Sequence, residues 1–191
     1  CIAAKRFLVH EDVCETFIEN VSTHIKNLKV GDPMDEKTQI GPLAKKEFVH
    51  DLHKIVESSI DDGATCLIGG KMDDTSLYSP TLLINVNEDM EVFKKETFGP
   101  VFCVMKIKSV DEAIRIANNS QYGLGGSLWT KDITLAKKIT KKINAGAIFI
   151  NDMTKSDPRL PFGGINKSGY GIELSKYGIR EFVNTKTIVV N

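Results

Sequence analysis

Val101-Phe102-Cys103-Val104-Met105-Lys106-Ile107-Lys108-Ser109-Val110-Asp111-Glu112-Ala113-Ile114-Arg115-Ile116-Ala117-Asn118 holds a complete passage from strand to helix. Its first seven residues are almost all apolar, as in a strand covered on both faces. Ser109 and Glu112 then have the Ser-x-x-Glu spacing of a capping box, in which hydroxyl and carboxylate satisfy the orphan amides that open a helix. That helix is expected to run to Asn118. A strand over 125–130, a helix over 132–143 and a strand over 147–150 repeat the alternation. Buried-looking strands joined by helices predict an α/β fold, a mainly parallel sheet with helices on both faces.

Working outward from there, short apolar runs over 6–10, 65–68 and 81–86 add strands. Val13, Phe17, Val21, Ile25 and Leu28 recur at three- and four-residue spacing, marking one face of a helix that Gly31-Asp32-Pro33 ends. Phe48, Leu52, Ile55, Val56 and Ile60 mark a second helix, stopped by Gly63. From 151 to 171 glycines, polar residues and two prolines replace the periodic positions. A loop of that length, following a strand, lies where α/β sheets build their sites. A short helix over 173–182 and a strand over 185–190 are expected to close the chain.

The composition excludes several classes of function. With 191 residues, 41% hydrophobic and 26% charged, the chain suits one compact soluble domain. Lys+Arg and Asp+Glu balance at 25 each, so no net field favours nucleic acid or an anionic membrane surface. No apolar run approaches the roughly 20 residues that span a bilayer, and no basic-then-apolar leader opens the sequence, so a cytoplasmic protein is expected. The four cysteines lie far apart, without Cys-x-x-Cys pairs, and three of them (Cys14, Cys66, Cys103) read as buried reduced thiols. His50 and His53 are three apart on a helix but lack a third ligand, so no metal is expected. Lys137, Lys138, Lys141 and Lys142 read as a solvated helix edge. Since the first residue is Cys rather than Met, a piece of something longer is expected.

A set of ordered motifs carries a resemblance. It opens with Cys1-Ile2-Ala3-Ala4-Lys5-Arg6-Phe7, followed by Gly31-Asp32-Pro33 with Thr38-Gln39-Ile40-Gly41-Pro42-Leu43, and by Ser79-Pro80-Thr81-Leu82-Leu83. Glu96-Thr97-Phe98-Gly99-Pro100-Val101, Tyr122-Gly123-Leu124 and Ala145-Gly146 with Ile150-Asn151 come next, then Pro161-Phe162-Gly163-Gly164 with Lys167-Ser168-Gly169. In order and spacing the chain resembles the catalytic part of the aldehyde dehydrogenases along its whole length. The wording around Cys1, Ser156-Asp157 and 175–182 resembles the bacterial succinate-semialdehyde dehydrogenases most.

The resemblance implies a division into a catalytic portion, 1–182, and a C-terminal oligomerisation strand, 183–191, with the dinucleotide-binding domain outside this chain. It also changes the reading of Cys1. A lone cysteine is ordinarily a small inert hydrophobe, but here it would be the nucleophile. Oxidising an aldehyde requires a group that first adds to the carbonyl, and a thiolate both adds readily and leaves a hydrolysable thioester. Glu96 alone would be a solvated charge beside an aromatic; in the family the matching Glu accepts from the nicotinamide ribose hydroxyls, and Phe98 would pack near the nicotinamide ring. NAD or NADP is the implied cofactor. Ile2, Ser156, Asp157 and Phe162 are the implied substrate contacts, although Ser156-Asp157-Pro158 also reads as a plain turn. Lys95, Asn166 and Ile172 depart from the family pattern.

The implied reaction takes a small-molecule aldehyde, succinate semialdehyde, to its acid in a homodimer or homotetramer, with no nucleic-acid or membrane partner. The family's general base and side-chain oxyanion donor precede the nucleophile, so these 191 residues alone are expected to be inactive. A free amino group on Cys1 would be expected to condense with aldehydes to a thiazolidine. Two other readings stay open: a truncated piece that serves as a folding or oligomerisation module, and a relative that passes the acyl group to coenzyme A.

Overall fold

The computed structural model describes residues 2–73 and 75–191. Two compact units make it up, Ala4–Ala113 and Ile114–Asn191, with residues 2 and 3 grouping with the latter. The first unit carries β1 (Phe7–His10), α1 (Glu11–Lys26), α2 (Lys46–Asp61), β2 (Thr65–Ile68), β3 (Thr81–Ile84), α3 (Glu91–Lys94) and β4 (Val101–Ile107). After α4 (Val110–Asn118), which spans the boundary, the second carries β5 (Gly125–Leu128), α5 (Ile133–Thr140), β6 (Ala147–Ile150) and α6 (Ser175–Gly178).

The α/β class is as the sequence predicts. In the first unit the sheet order is β1-β4-β3-β2. β4 pairs in parallel with β1 and β3, while β2 joins β3 antiparallel, with a register shift between Cys66 and Ile68. In the second unit β5 and β6 pair in parallel, so the strands form two sheets rather than one. The apolar run of β4 has the burial expected of it: Val101, Cys103, Val104, Met105 and Ile107 are all buried. Val9, Leu82 and Val104 meet Cys14 and Ile25 of α1 in one core cluster, flanked by the rings of Phe7, Phe17 and Phe102. Each such fully buried aliphatic side chain contributes roughly 1.5–3 kcal/mol.

α1 presents the expected face at Phe17, Val21, Ile25 and Leu28, which pack into that cluster, and departs from it only at its start. Cys14 is buried while Val13 is 56% exposed, because a small thiol fits the close approach to the sheet and leaves valine at the rim. In α2, Val49, Leu52, Val56 and Ser59 point inward, and Phe48 and Ile60 are exposed. The helix stops at Gly63 (φ 107), where the Ala64 amide donates back to the Ser59 carbonyl at 2.9 Å. The Ser59 hydroxyl, fully buried, donates to the Ile55 carbonyl (2.8 Å) and accepts from the Val92 amide (3.0 Å), which fastens α2 to the first turn of α3.

Several expected boundaries move. The strand expected over 81–86 ends at Ile84, since Asn85 is left-handed (φ 57). The one expected over 125–130 ends at Leu128, and the Asn151 side chain takes over there, accepting from the Thr130 amide (2.8 Å) and donating to its carbonyl (2.9 Å). Instead of one helix over 173–182 there is α6 followed by a 3₁₀ turn, Ile179–Phe182; positive φ at Leu174 and Ser175 delays the start. Residues 183–191 form no strand, in contrast to the expectation for 185–190: the apolar Ile188, Val189 and Val190 are exposed, and a strand needs a partner edge. Among the described residues no helix is long and apolar enough to cross a membrane.

Candidate active site

In the first unit the segment between α3 and β4 carries one group of candidate residues. Thr97 is buried, and its carbonyl accepts from the Gly99 amide (2.7 Å) and from Lys5 Nζ (3.0 Å). Gly99 lies so close to Leu52 that a β-carbon there would collide with the leucine methyl. With Thr97 held inward, its neighbours Glu96 and Phe98 are both exposed. They are the two residues expected to meet the cofactor. Lys95, the departure from the family pattern, pairs with Glu91 one turn back on α3 and leaves Glu96 unencumbered.

Two cations from successive residues hold this segment. Lys5 Nζ lies 4.2 Å from the centroid of the Phe98 ring, and the Arg6 guanidinium 4.8 Å from that of Phe93. Burial pulls the Lys5 pKa below the ordinary lysine value, with the charge of Glu96 and then Cys103 opposing it. Sequence reasoning gave Lys5 no role, since its partners lie 92 and 93 positions away; only its place four residues after Cys1 could have drawn attention to it.

Cys1 lies outside the described residues. The other three cysteines are free thiols. Burial pushes the Cys103 thiol up to about 12, against a small opposing effect of Lys5, and desolvation likewise raises Cys14 and Cys66. All three therefore stay protonated and unreactive near neutral pH. His53 lies between the Tyr78 hydroxyl (3.3 Å) and Glu57 (3.2 Å), and no metal-holding group of three His, Cys, Asp or Glu occurs among the described residues.

The second unit holds a cleft of about 450 Å³ between β6 and the loop that follows it. Ile148, Ile150, Leu160 and Phe162 give it apolar walls, and Asp152, Lys155 and Asp157 a charged edge. Two of the expected substrate residues, Asp157 and Phe162, are thus brought together. Ser156 and Ile2 are exposed and do not line the cleft. Close glycine contacts seat the loop: Gly146 abuts the Gly163 carbonyl, and Gly123 accepts from the Gly146 and Ile165 amides, both at 3.0 Å. Phe162 and Glu173 exchange both backbone hydrogen bonds, at 2.9 and 2.7 Å.

The turn expected at Ser156-Asp157-Pro158 is found over 157–160. Asp157 Oδ1 accepts from the Arg159 amide (2.9 Å) and its carbonyl from the Leu160 amide (2.9 Å). The same turn brings Arg159 back onto Asp157, with Nε at 2.9 Å and Nη2 at 2.6 Å from the carboxylate. That guanidinium holds the Asp157 carboxyl well below the usual carboxylate range. Lys155 pairs in the same way with Asp152 at 2.6 Å. Arg159 is a second residue that sequence reasoning passed over; the short Asp-Pro-Arg turn is the signal that could have found it.

A model of the aldehyde dehydrogenase family matches residues 1–188. An aldehyde dehydrogenase of Paenarthrobacter nicotinovorans is 47% identical over 190 residues, which is 98% of this chain and 42% of that protein. Succinate-semialdehyde dehydrogenase (NADP(+)) 1 of Mycobacterium bovis is 45% identical over the same shares of each chain. Among solved structures, glyceraldehyde-3-phosphate dehydrogenase of Methanocaldococcus jannaschii, complexed with NADP, superposes with a TM-score of 0.94 at 39% identity, covering 100% of this chain and 41% of that one. Succinate-semialdehyde dehydrogenase from Burkholderia pseudomallei gives 0.92 at 33% identity, over 95% and 38%. The chain therefore spans about two fifths of the length of the proteins it matches.

Proposed function

We propose that this chain, which belongs to the aldehyde dehydrogenase family, is the nucleophile-bearing part of an enzyme that oxidises succinate semialdehyde to the carboxylic acid with NAD or NADP. The observation that carries the proposal is similarity along 98% of the chain to proteins named for that activity, with Cys1, Glu96 and Phe98 at the motif positions.

The residues supply a consistent chemistry. Cys1 adds as thiolate to the aldehyde carbon, forming a thiohemiacetal; loss of the aldehyde hydrogen with its electron pair leaves a thioacyl enzyme, which water hydrolyses. When bound, the nicotinamide is the acceptor of that electron pair. Glu96 can accept from two vicinal ribose hydroxyls, and Phe98 offers a flat apolar face; both are exposed enough to do so. Phe162 walls the aldehyde side, and Ile2 adjoins the nucleophile in sequence.

The distal carboxylate of succinate semialdehyde needs donors, and Asp157 is an anion. Its place in our reading is to hold Arg159, whose guanidinium has donors to spare after forking onto one carboxylate. Ser156 adds an exposed hydroxyl alongside. We further assign residues 1–182 to the catalytic portion and 183–191 to a strand that completes a sheet of a second copy, in a homodimer or homotetramer. Exposed apolar side chains at 188–190 suit such an edge addition.

The test uses the full-length protein. With succinate semialdehyde, wild type should reduce NAD or NADP, and Cys1→Ser should lose at least about a thousandfold in kcat. Iodoacetamide at neutral pH should alkylate Cys1 and spare Cys14, Cys66 and Cys103. An undiminished Cys1→Ser enzyme would remove the proposal.

A further inference from the structure

Phe98 has two faces, and the structure gives one of them an occupant. Lys5 Nζ stands 4.2 Å from its ring centroid, held there by the hydrogen bond to the Thr97 carbonyl. Two fixed points thus define the ammonium: the backbone of a buried residue and the face of the ring beside it. The ring itself remains 60% exposed, so its other side is free to take a flat partner.

We propose that Lys5 is a positioning residue that pins the Glu96–Phe98 segment and, from behind the Phe98 ring, biases the open face toward an uncharged flat ring over a cationic one. This rests on reading Glu96 and Phe98 as the pair that faces the nicotinamide. The oxidised nicotinamide ring carries a positive charge and the reduced one carries none. A cation stacked on the open face would lie about 8 Å from the Lys5 ammonium, as 4.2 Å on one side adds to an ordinary stacking distance on the other. Repulsion at that range, with an effective dielectric near that of a protein surface and some screening by salt, is worth a factor of about five in relative affinity. The half-buried setting that lowers the Lys5 pKa also limits how far water can screen it. Lys5 would therefore make the site hold the reduced form more tightly than geometry alone requires.

The experiment measures equilibrium affinity rather than turnover. The full-length protein and its Lys5→Met, Lys5→Arg and Phe98→Ala variants are titrated with NADP+ and NADPH, and in parallel with NAD+ and NADH, by protein fluorescence. Thermal melting confirms that each is folded, and Lys5→Gln replaces Lys5→Met if the latter is not. The ratio of the oxidised-form Kd to the reduced-form Kd should fall about fivefold in the neutral variant and return to within about twofold of wild type in Lys5→Arg, which keeps charge and donors. A neutral variant with the wild-type ratio, or an arginine variant that behaves like the methionine one, overturns the proposal. Phe98→Ala separates the two levels: if it leaves all four affinities unchanged, the nicotinamide reading of Phe98 fails. If it weakens binding while the Lys5 ratios stay put, only the role of Lys5 falls.

Discussion

The carbonyl oxygen of Gly163 occupies the place that a β-carbon on Gly146 would take. Gly146 leads into β6, and Gly163 lies within the loop that follows that strand, next to Phe162 of the cleft wall, so the contact sets the loop against the sheet. The reason for glycine here is steric rather than conformational, which also explains why both glycines belong to ordered motifs without any chemistry of their own. Gly146→Ala forces backbone against backbone and should cost about 2–3 kcal/mol or more. Thermal unfolding should show a lowered midpoint, and limited proteolysis should cut first within 151–171. A variant as stable and as resistant as wild type would refute the steric account.

Ser59 makes a second prediction about support. Its hydroxyl is the partner of the Val92 amide, 3.0 Å away, in a setting without water access. Ser59→Ala leaves a buried donor unsatisfied and should destabilise by about 1–3 kcal/mol, whereas Ser59→Thr, which keeps the oxygen, should cost less. Urea unfolding of the two variants side by side decides it; equal midpoints for alanine and threonine would remove the hydroxyl from the argument.

The buried acids dictate the response to alkali. Desolvation raises both Cys103 and Tyr78 to about 12, and Cys14 and Cys66 shift in the same direction. Unfolded, a cysteine thiol titrates near 8.5 and a tyrosine near 10. Because the folded pKa values are the higher ones, the unfolded chain releases protons first. The stabilisation is complete below about pH 8.5 and drains away as pH climbs toward about 12. Lys5 and Arg6, shifted downward by burial, work in the opposite sense, while Lys106, raised by its hydrogen bond to Glu15, adds to the fall. The urea midpoint should fall steadily from pH 8.5 to 11. Cys103→Ala should flatten the first part of that fall and Tyr78→Phe the second. A midpoint independent of pH over the whole range would contradict the burial of these groups.

What could be read in advance was local. The Ser109 half of the capping box is there, with the Glu112 amide 3.2 Å from the Ser109 hydroxyl, while the Glu112 carboxylate accepts at 2.7 Å from the Lys108 amide just before the cap; five neighbouring residues suffice for both bonds. β4 was legible because a run that is apolar but for Lys106 has few other uses. The face of α1 was legible at Phe17, Val21, Ile25 and Leu28 and missed only at its first turn, where Cys14 rather than Val13 is buried. Residues 185–190 have strand composition but no strand, as pairing depends on an edge that composition cannot supply. Lys5 was invisible for a related reason: a cation and a ring more than ninety residues apart meet only after the sheet has brought β1 and β4 into register. Glu96 and Phe98 could be singled out from a motif, but not the buried Thr97 between them, beside which both are exposed.

Arg159 yields the sharpest test of the substrate. Its guanidinium is fixed on Asp157 by two hydrogen bonds within a turn whose backbone also closes on Asp157. Asp157 lines the cleft and Arg159, itself outside the lining, is tied to it; on our reading a carboxylate-bearing aldehyde lying along Phe162 presents its anionic end to this pair. The comparison that isolates the charge is succinate semialdehyde against butanal, which has the same chain length and a methyl in place of the carboxylate. In the full-length enzyme Arg159→Met should lower kcat/KM for succinate semialdehyde about tenfold and leave butanal within about twofold, because only the first loses a charge-assisted donor. Asp157→Asn keeps the cation but loosens its hold, so the preference should drop by a smaller factor, about threefold. The Asp157 carboxyl lies well below the usual range, so the pair stays ionic and the preference should be level from pH 6 to 8. Equal losses on both aldehydes would make Arg159 a purely structural residue of the turn, and no loss on either would place the distal carboxylate elsewhere.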